Sequence, residues 1–277
     1  MIYSTALALL FGGFALTALA LYFLLNLIKQ EKIQKIRALP FDDKSRTYLL
    51  KTPHYKNLSI EDKKKIETSI LLFINTKEFI GVELEVTQEM KVIIAFYACL
   101  LLLHIETENC FNTLKTIIIY SHPVMLKNLH SSGGIYIKEQ YLIQGQSSND
   151  TVVITWHEAK SEAYHLRKDN VIIHEFAHEI DFMDGEIDGV PPLSQSKYYE
   201  WINILGKEYK ALKKVSLKNR NWGKYKLLGN YAASNEAEFF AVVTERFFES
   251  PKSLKREFPA LYNELKSFYK LDSITLV

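Results

Sequence analysis

Residues 2–28 contain no Asp, Glu, Lys or Arg, so all 34 basic and 32 acidic side chains of this 277-residue chain lie beyond them. As a helix rising about 1.5 Å per residue, that stretch reaches roughly 40 Å, more than the roughly 30 Å hydrocarbon core of a bilayer. Gly12 and Gly13 are tolerable in a membrane helix. Two other readings exist, a cleaved signal peptide and a buried helix of a soluble protein. A signal peptide opens with positive charge and ends its apolar run near a small-residue site. Here the run continues from Leu21 to Ile28, past Ala18-Leu19-Ala20, and only the amino terminus is positive. A soluble core helix is rarely apolar for so long. The pattern predicts a transmembrane helix over residues 1–28. Lys29, Lys32, Lys35 and Arg37 follow it, opposed only by Glu31. The positive-inside rule then predicts a single-pass protein of the inner (cytoplasmic) membrane with its carboxyl-terminal bulk in the cytoplasm. The apolar block at 92–103 is too short for a second span and reads as a core helix.

The remainder has ordinary globular chemistry. With 48% hydrophobic and 24% charged residues, disorder and low-complexity scaffolds are excluded. Cys99 and Cys110 are too few for a disulfide framework or a four-cysteine zinc site, and they suit a reducing compartment. A net charge of +2 gives no electrostatic footprint for direct nucleic-acid binding. Residues 29–59, with Pro40 and Pro53, read as an irregular juxtamembrane linker, and 60–277 as one domain. Within it, helices are predicted over 60–76, where Ile66, Ile70, Phe73 and Ile74 share a face, and over 87–103, opened by Thr87. Short β-rich runs follow at 116–120, 135–137, 141–144 and 151–156, and helices resume from Asn170. Helices, a small sheet, then helices predict an α+β fold.

The chemistry enters at Val171-Ile172-Ile173-His174-Glu175-Phe176-Ala177-His178-Glu179-Ile180-Asp181. Histidines four apart share one helix face, so both imidazoles can reach one ion. Glu175 lies about 100° round from His174, placed to take a proton from water beside that ion without itself being a ligand. Asp169 or Asn170 can cap this helix, and Gly185 suits its end. With 8 His and 23 Glu in 277 residues, chance supplies only about 0.02 such matches. A catalytic zinc site takes a third protein ligand and leaves one position open. No His follows His178, so that ligand must be a later carboxylate. Glu238 is the best candidate, because Phe239, Val242, Val243 and the run to Phe248 predict a buried helix that carries it inward. A buried Glu needs an ion or a basic partner. The alternative is a salt bridge to Arg246 or a lysine.

Several blocks in one order then resemble a known family. They include Phe73-Ile74-Asn75-Thr76-Lys77-Glu78-Phe79, Val86-Thr87-Gln88-Glu89-Met90, Val153-Ile154-Thr155-Trp156, the helix just described, Asp188-Gly189-Val190-Pro191-Pro192-Leu193, Asn230-Tyr231-Ala232-Ala233 onward to Glu249, and Phe258-Pro259-Ala260-Leu261-Tyr262. Across most of residues 60–270 the chain resembles the Mlc titration factor A family of zinc-dependent peptidases. The resemblance implies a zincin-like core similar to that of anthrax lethal factor. It implies Zn2+ held by His174, His178 and Glu238, Glu175 as general base, and Tyr231 as hydrogen-bond donor to the oxyanion. For Tyr231 the alternative is an ordinary core phenol. A peptide or protein is the implied substrate. A second implied role is regulatory: family members bind the Mlc repressor and relieve repression, so this chain could sequester a transcriptional repressor at the membrane. The uncharged span departs from the family pattern. Glu245 and Asp181 are the two acids placed to orient a ligand from behind, unless they are merely solvated or salt-bridged.

Overall fold

A computed structural model describes residues 2–105, 111–122, 150–167, 169–218 and 222–277, with side chains from Phe11 onward. The chain forms two compact units, Met1–Pro40 and Phe41–Val277. The first is built on α1 (Ile2–Arg37). Its 27 residues Phe11–Arg37 are long and apolar enough to cross a membrane. Phe11, Phe14, Leu16, Phe23 and Leu27 are all exposed. A core helix of a soluble protein would hide such side chains.

The second unit is mostly helical around a small sheet. In chain order it holds α2 (Asp43–Leu49), α3 (Pro53–Asn57), α4 (Ile60–Thr76), β1 (Glu78–Val82), α5 (Gln88–Leu101), β2 (Thr116–Tyr120), β3 (Thr151–Thr155) and α6 (Trp156–Tyr164). It continues with α7 (Val171–Asp181), α8 (Gln195–Trp201), α9 (Lys207–Lys218), α10 (Glu236–Glu249), α11 (Pro251–Glu257) and α12 (Pro259–Tyr269). The stretch expected to be irregular therefore contains two short helices, and the compact unit already begins at Phe41. Both helices rest on caps. The Asp42 carboxylate accepts from the Ser45 N–H at 2.8 Å, and Thr52 caps α3 with Pro53 at its first position.

The sheet has the order β1-β2-β3, and both pairings are parallel. Glu78 sits opposite Thr116, and Thr116 opposite Thr151. Ile117, Ile118 and Ile119 are all buried, as expected of a parallel strand covered on both faces. The sequence pattern does not predict β1. Its Gly81 permits a close approach, since a side chain there would meet the Leu84 carbonyl. The expected runs at 135–137 and 141–144 lie outside the described residues.

The short apolar block is a core helix, as its length requires. Thr87 caps α5 by accepting from the Met90 N–H at 3.3 Å, and residues 92–101 are all buried. Two further helices carry the polar chemistry. α7 buries Ile172, Ile173, Phe176 and Ala177, with Phe176 against Phe73 and Phe111 at ring distances of 5.7 and 5.1 Å. α10 buries Phe239, Phe240, Val243, Phe247 and Phe248, with Phe240 against Trp201 at 5.5 Å. The two helices pack on each other, and their apolar faces fix how their polar residues meet.

Candidate metal centre

α7 starts at Asn170, whose side-chain oxygen accepts from the Ile173 N–H at 3.2 Å. Asp169, the other candidate for this cap, instead accepts from Arg246 at 2.8 Å. The helix runs on through the turn Phe182–Asp184 and stops at Gly185, which adopts φ +100°. Along it His174 and His178 stand on one face, ring centroids 5.0 Å apart.

α10 brings the third group. Asn235 caps it by accepting from the Glu238 N–H at 2.8 Å, which places Glu238 in the first turn. Glu238 Oε2 lies 3.1 Å from His174 Nε2 and 3.5 Å from His178 Nε2. One donor atom from each of the three residues falls within 4.8 Å of the others, so they can hold a single ion. The basic partners of Glu238 are thus imidazoles. Arg246 turns elsewhere, to Asp169, to the Leu227 carbonyl at 2.9 Å and to Glu245 at 3.7 Å.

His174 and Glu238 are each half-buried, and the imidazole Nε2 and the carboxylate are within hydrogen-bond distance of each other. Burial works against a charged His174, but hydrogen bonds to Glu238 and Glu245 outweigh it and raise its pKa to about 10. Burial likewise opposes ionisation of Glu238, and the two imidazoles overcome it, holding the carboxyl well below its usual range. Such a site favours a cation in place of the protons.

Glu175 is half-buried one residue beyond His174. Its charge contributes to raising the pKa of both His174 and Tyr231. Tyr231 opens the turn Tyr231–Ala233, its ring 5.8 Å from that of His174. Burial first, and then the charge of Glu238, push its phenol well above the ordinary range, so its proton is retained at neutral pH. His157 and His165 do not join this cluster. His157 lies in the first turn of α6 beside His122, and His165 Nδ1 sits 3.0 Å from the Ser161 carbonyl at the end of the same helix.

Of the two acids expected to orient a ligand, only Glu245 touches one of the clustered histidines, with Oε1 2.8 Å from His174 Nδ1. Asp181 instead accepts from the Gly189 N–H at 2.9 Å. The Gly189 carbonyl in turn accepts from Trp201 Nε1 at 2.9 Å, so the loop after α7 is held at both groups of one residue. Gly189 has φ +81°, and a Cβ there would come within 2.5 Å of the Glu236 carbonyl, in the same turn as Glu238. Gly189→Ala should therefore cost about 2–4 kcal/mol from left-handed strain and overpacking combined. A denaturant midpoint equal to that of the unaltered chain would contradict this.

Sequence reasoning missed two acids around the start of α7, Glu249 buried and Glu162 half-buried. Glu249 accepts from the Asn170 side chain at 2.7 Å and the Arg167 N–H at 3.2 Å, while Glu162 accepts from the Val171 N–H at 2.7 Å. Burial pushes Glu249 up to about 8 and Glu162 up to about 7, against these hydrogen bonds. Both values exceed the unfolded value of about 4.3, so between those limits the folded chain holds protons that the unfolded chain has released. Their contribution to stability is complete below the ordinary carboxylate range and is lost as pH rises through 7 to 8. In chelator, the urea midpoint should fall between about pH 5.5 and about pH 8.5, and Glu249→Gln should flatten that fall. A midpoint that rises over the interval would refute the assignment.

A family model described as "Glucose-regulated metallo-peptidase M90" matches residues 27–270, a range that contains every residue of this cluster. The chain belongs to this family. An uncharacterized protein of Synechocystis is 33% identical over 231 residues, covering 80% of this chain and 81% of that protein. Mlc titration factor A of Yersinia pestis is 30% identical over 162 residues, covering 57% of this chain and 58% of that protein. Membership supports a metallopeptidase role, and with it a metal ion and a protein or peptide substrate.

Proposed function

We propose that this M90 protein is a membrane-anchored, cytoplasm-facing zinc-dependent peptidase with a zincin-like catalytic domain. The observation that carries the reading is the convergence of His174, His178 and Glu238, with Glu175 next to His174 in the chain, inside the family-matched segment. Two imidazole nitrogens and one carboxylate oxygen are a donor set that suits zinc and leaves a position open. Zinc held there supplies the Lewis acidity that polarises the scissile carbonyl.

The protein's own groups do the rest. Glu175 accepts the proton of the attacking water as the new carbon–oxygen bond forms, then delivers it to the amine as the carbon–nitrogen bond breaks. Tyr231 keeps its proton and donates a hydrogen bond to the carbonyl oxygen as that oxygen gains charge. A purely structural zinc site has no need of a base beside it. The purified full chain should carry about one zinc and cleave peptides. A zinc-bearing chain that cuts none would leave the name of the Yersinia relative as the better guide, pointing to a regulator that sequesters a transcriptional repressor.

The anchor reading rests on α1, with exposed apolar side chains between Phe11 and Ile28 and Lys29, Lys32, Lys35 and Arg37 at its carboxyl-terminal end. An alkaline phosphatase fused after Val277 should be inactive, because that enzyme needs an oxidising compartment. Strong phosphatase activity would reverse the orientation, and recovery of the chain in the soluble fraction would remove the anchor.

A further inference from the structure

The polar residues shared by α7 and α10 form one ladder. On α10, Glu245 and Glu249 follow Glu238 by seven and eleven residues, within about 20° of the same helix face. On α7, Asn170, His174 and His178 are spaced by four. The rungs run antiparallel: Glu238 meets His178 and His174, Glu245 meets His174 and Asn170, and Glu249 meets Asn170. Glu245 takes two donors at once. Oε1 lies 2.8 Å from His174 Nδ1, and Oε2 accepts from the Asn170 N–H at 2.8 Å. His178 has no such support, for its Nδ1 has no partner among the described residues.

We infer that Glu245 is the positioning residue of the metal centre: it keeps the His174 proton on Nδ1, leaving the Nε2 lone pair for the metal, and ties that ring to the cap of α7. The inference rests on the reading of His174, His178 and Glu238 as metal ligands. The third ligand and the group that orients the first then belong to one helix, so α10 presents both at a fixed separation. A carboxylate behind a ligating imidazole fixes its tautomer and raises its basicity. Glu249 holds the same cap through the Asn170 side chain but touches neither ligand.

The test is zinc affinity by chelator competition, with the visible spectrum of the cobalt-loaded protein, on the full chain and on Glu245→Ala, Glu245→Gln and Glu249→Gln. Melting temperatures in chelator establish that each variant is folded. Glu245→Ala should bind zinc about 10- to 100-fold more weakly and shift the cobalt bands. Glu245→Gln, which can accept from only one of the two donors, should fall between. Glu249→Gln should alter stability and leave affinity and spectrum unchanged. If folded Glu245→Ala or, should it not fold, Glu245→Gln binds zinc within twofold of the unaltered chain, the positioning role is wrong and the ligand set stands. Equal weakening by Glu249→Gln would also overturn it, as general damage to the helix pair. If the unaltered chain binds no zinc, the ligand set itself fails and this role with it.

Discussion

Glu175→Gln should retain zinc while peptide hydrolysis falls by at least about 10²-fold, the loss expected when a general base is removed. Glutamine keeps the size and hydrogen-bonding capacity of the side chain but cannot take the proton from water. The fold should tolerate the change, because Glu175 is only half-buried whereas its neighbours Phe176 and Ala177 fill the core. Tyr231→Phe should resemble it, with zinc kept and turnover reduced by roughly 10²-fold, a usual loss for one oxyanion donor. Metal content and hydrolysis are to be measured on the same preparations. Full hydrolysis by Glu175→Gln would remove it from the chemistry outright. Loss of zinc in Tyr231→Phe would make the phenol a structural support of the site.

Removal of a ligand should act on the metal itself. His174→Ala, His178→Ala and Glu238→Ala should each weaken zinc binding by more than about 10²-fold, beyond the loss expected for a group behind a ligand. Glu238→Ala is the most informative. It leaves two imidazoles about one turn apart on α7, while Glu245 is already engaged with His174 Nδ1 and the Asn170 N–H. Glu245 is therefore not free to take its place. Unchanged zinc occupancy in Glu238→Ala would move the third ligand elsewhere and break the link between α7 and α10 on which the account rests.

The parts of this arrangement that depend on local sequence are legible in the chain itself. Two histidines four apart on an amphipathic run, with Asn170 ahead and Gly185 behind, specify a helix that carries both imidazoles on one face. Glu238 is legible for a different reason: an acid in the first turn of a helix that is otherwise Phe, Val and Phe needs a partner inside the fold. The failures concern longer range or shorter elements. α2 and α3 have seven and five residues, too few to show a period, and depend on the caps at Asp42 and Thr52. β1 is a five-residue run with a glycine in it, and its partner β2 begins 38 positions after it, at Thr116 against Glu78. Glu245 and Asp181 look alike in sequence because each lies on a turn near a ligand. Only the antiparallel packing of α7 on α10 turns one toward His174, while the other faces Gly189. The half-buried Glu162 and the buried Glu249 are invisible for the same reason, since their surroundings come from the assembly of α6, α7 and α10 and not from their neighbours in the chain.

The most direct measurement is peptide cleavage by the detergent-solubilised full chain as purified, after exhaustive chelation, and after zinc is restored. The account predicts cleavage in the first state, loss of nearly all of it in the second and recovery in the third. Cleavage that survives removal of the metal, or a zinc-loaded chain that cuts no member of a diverse peptide library, would contradict it.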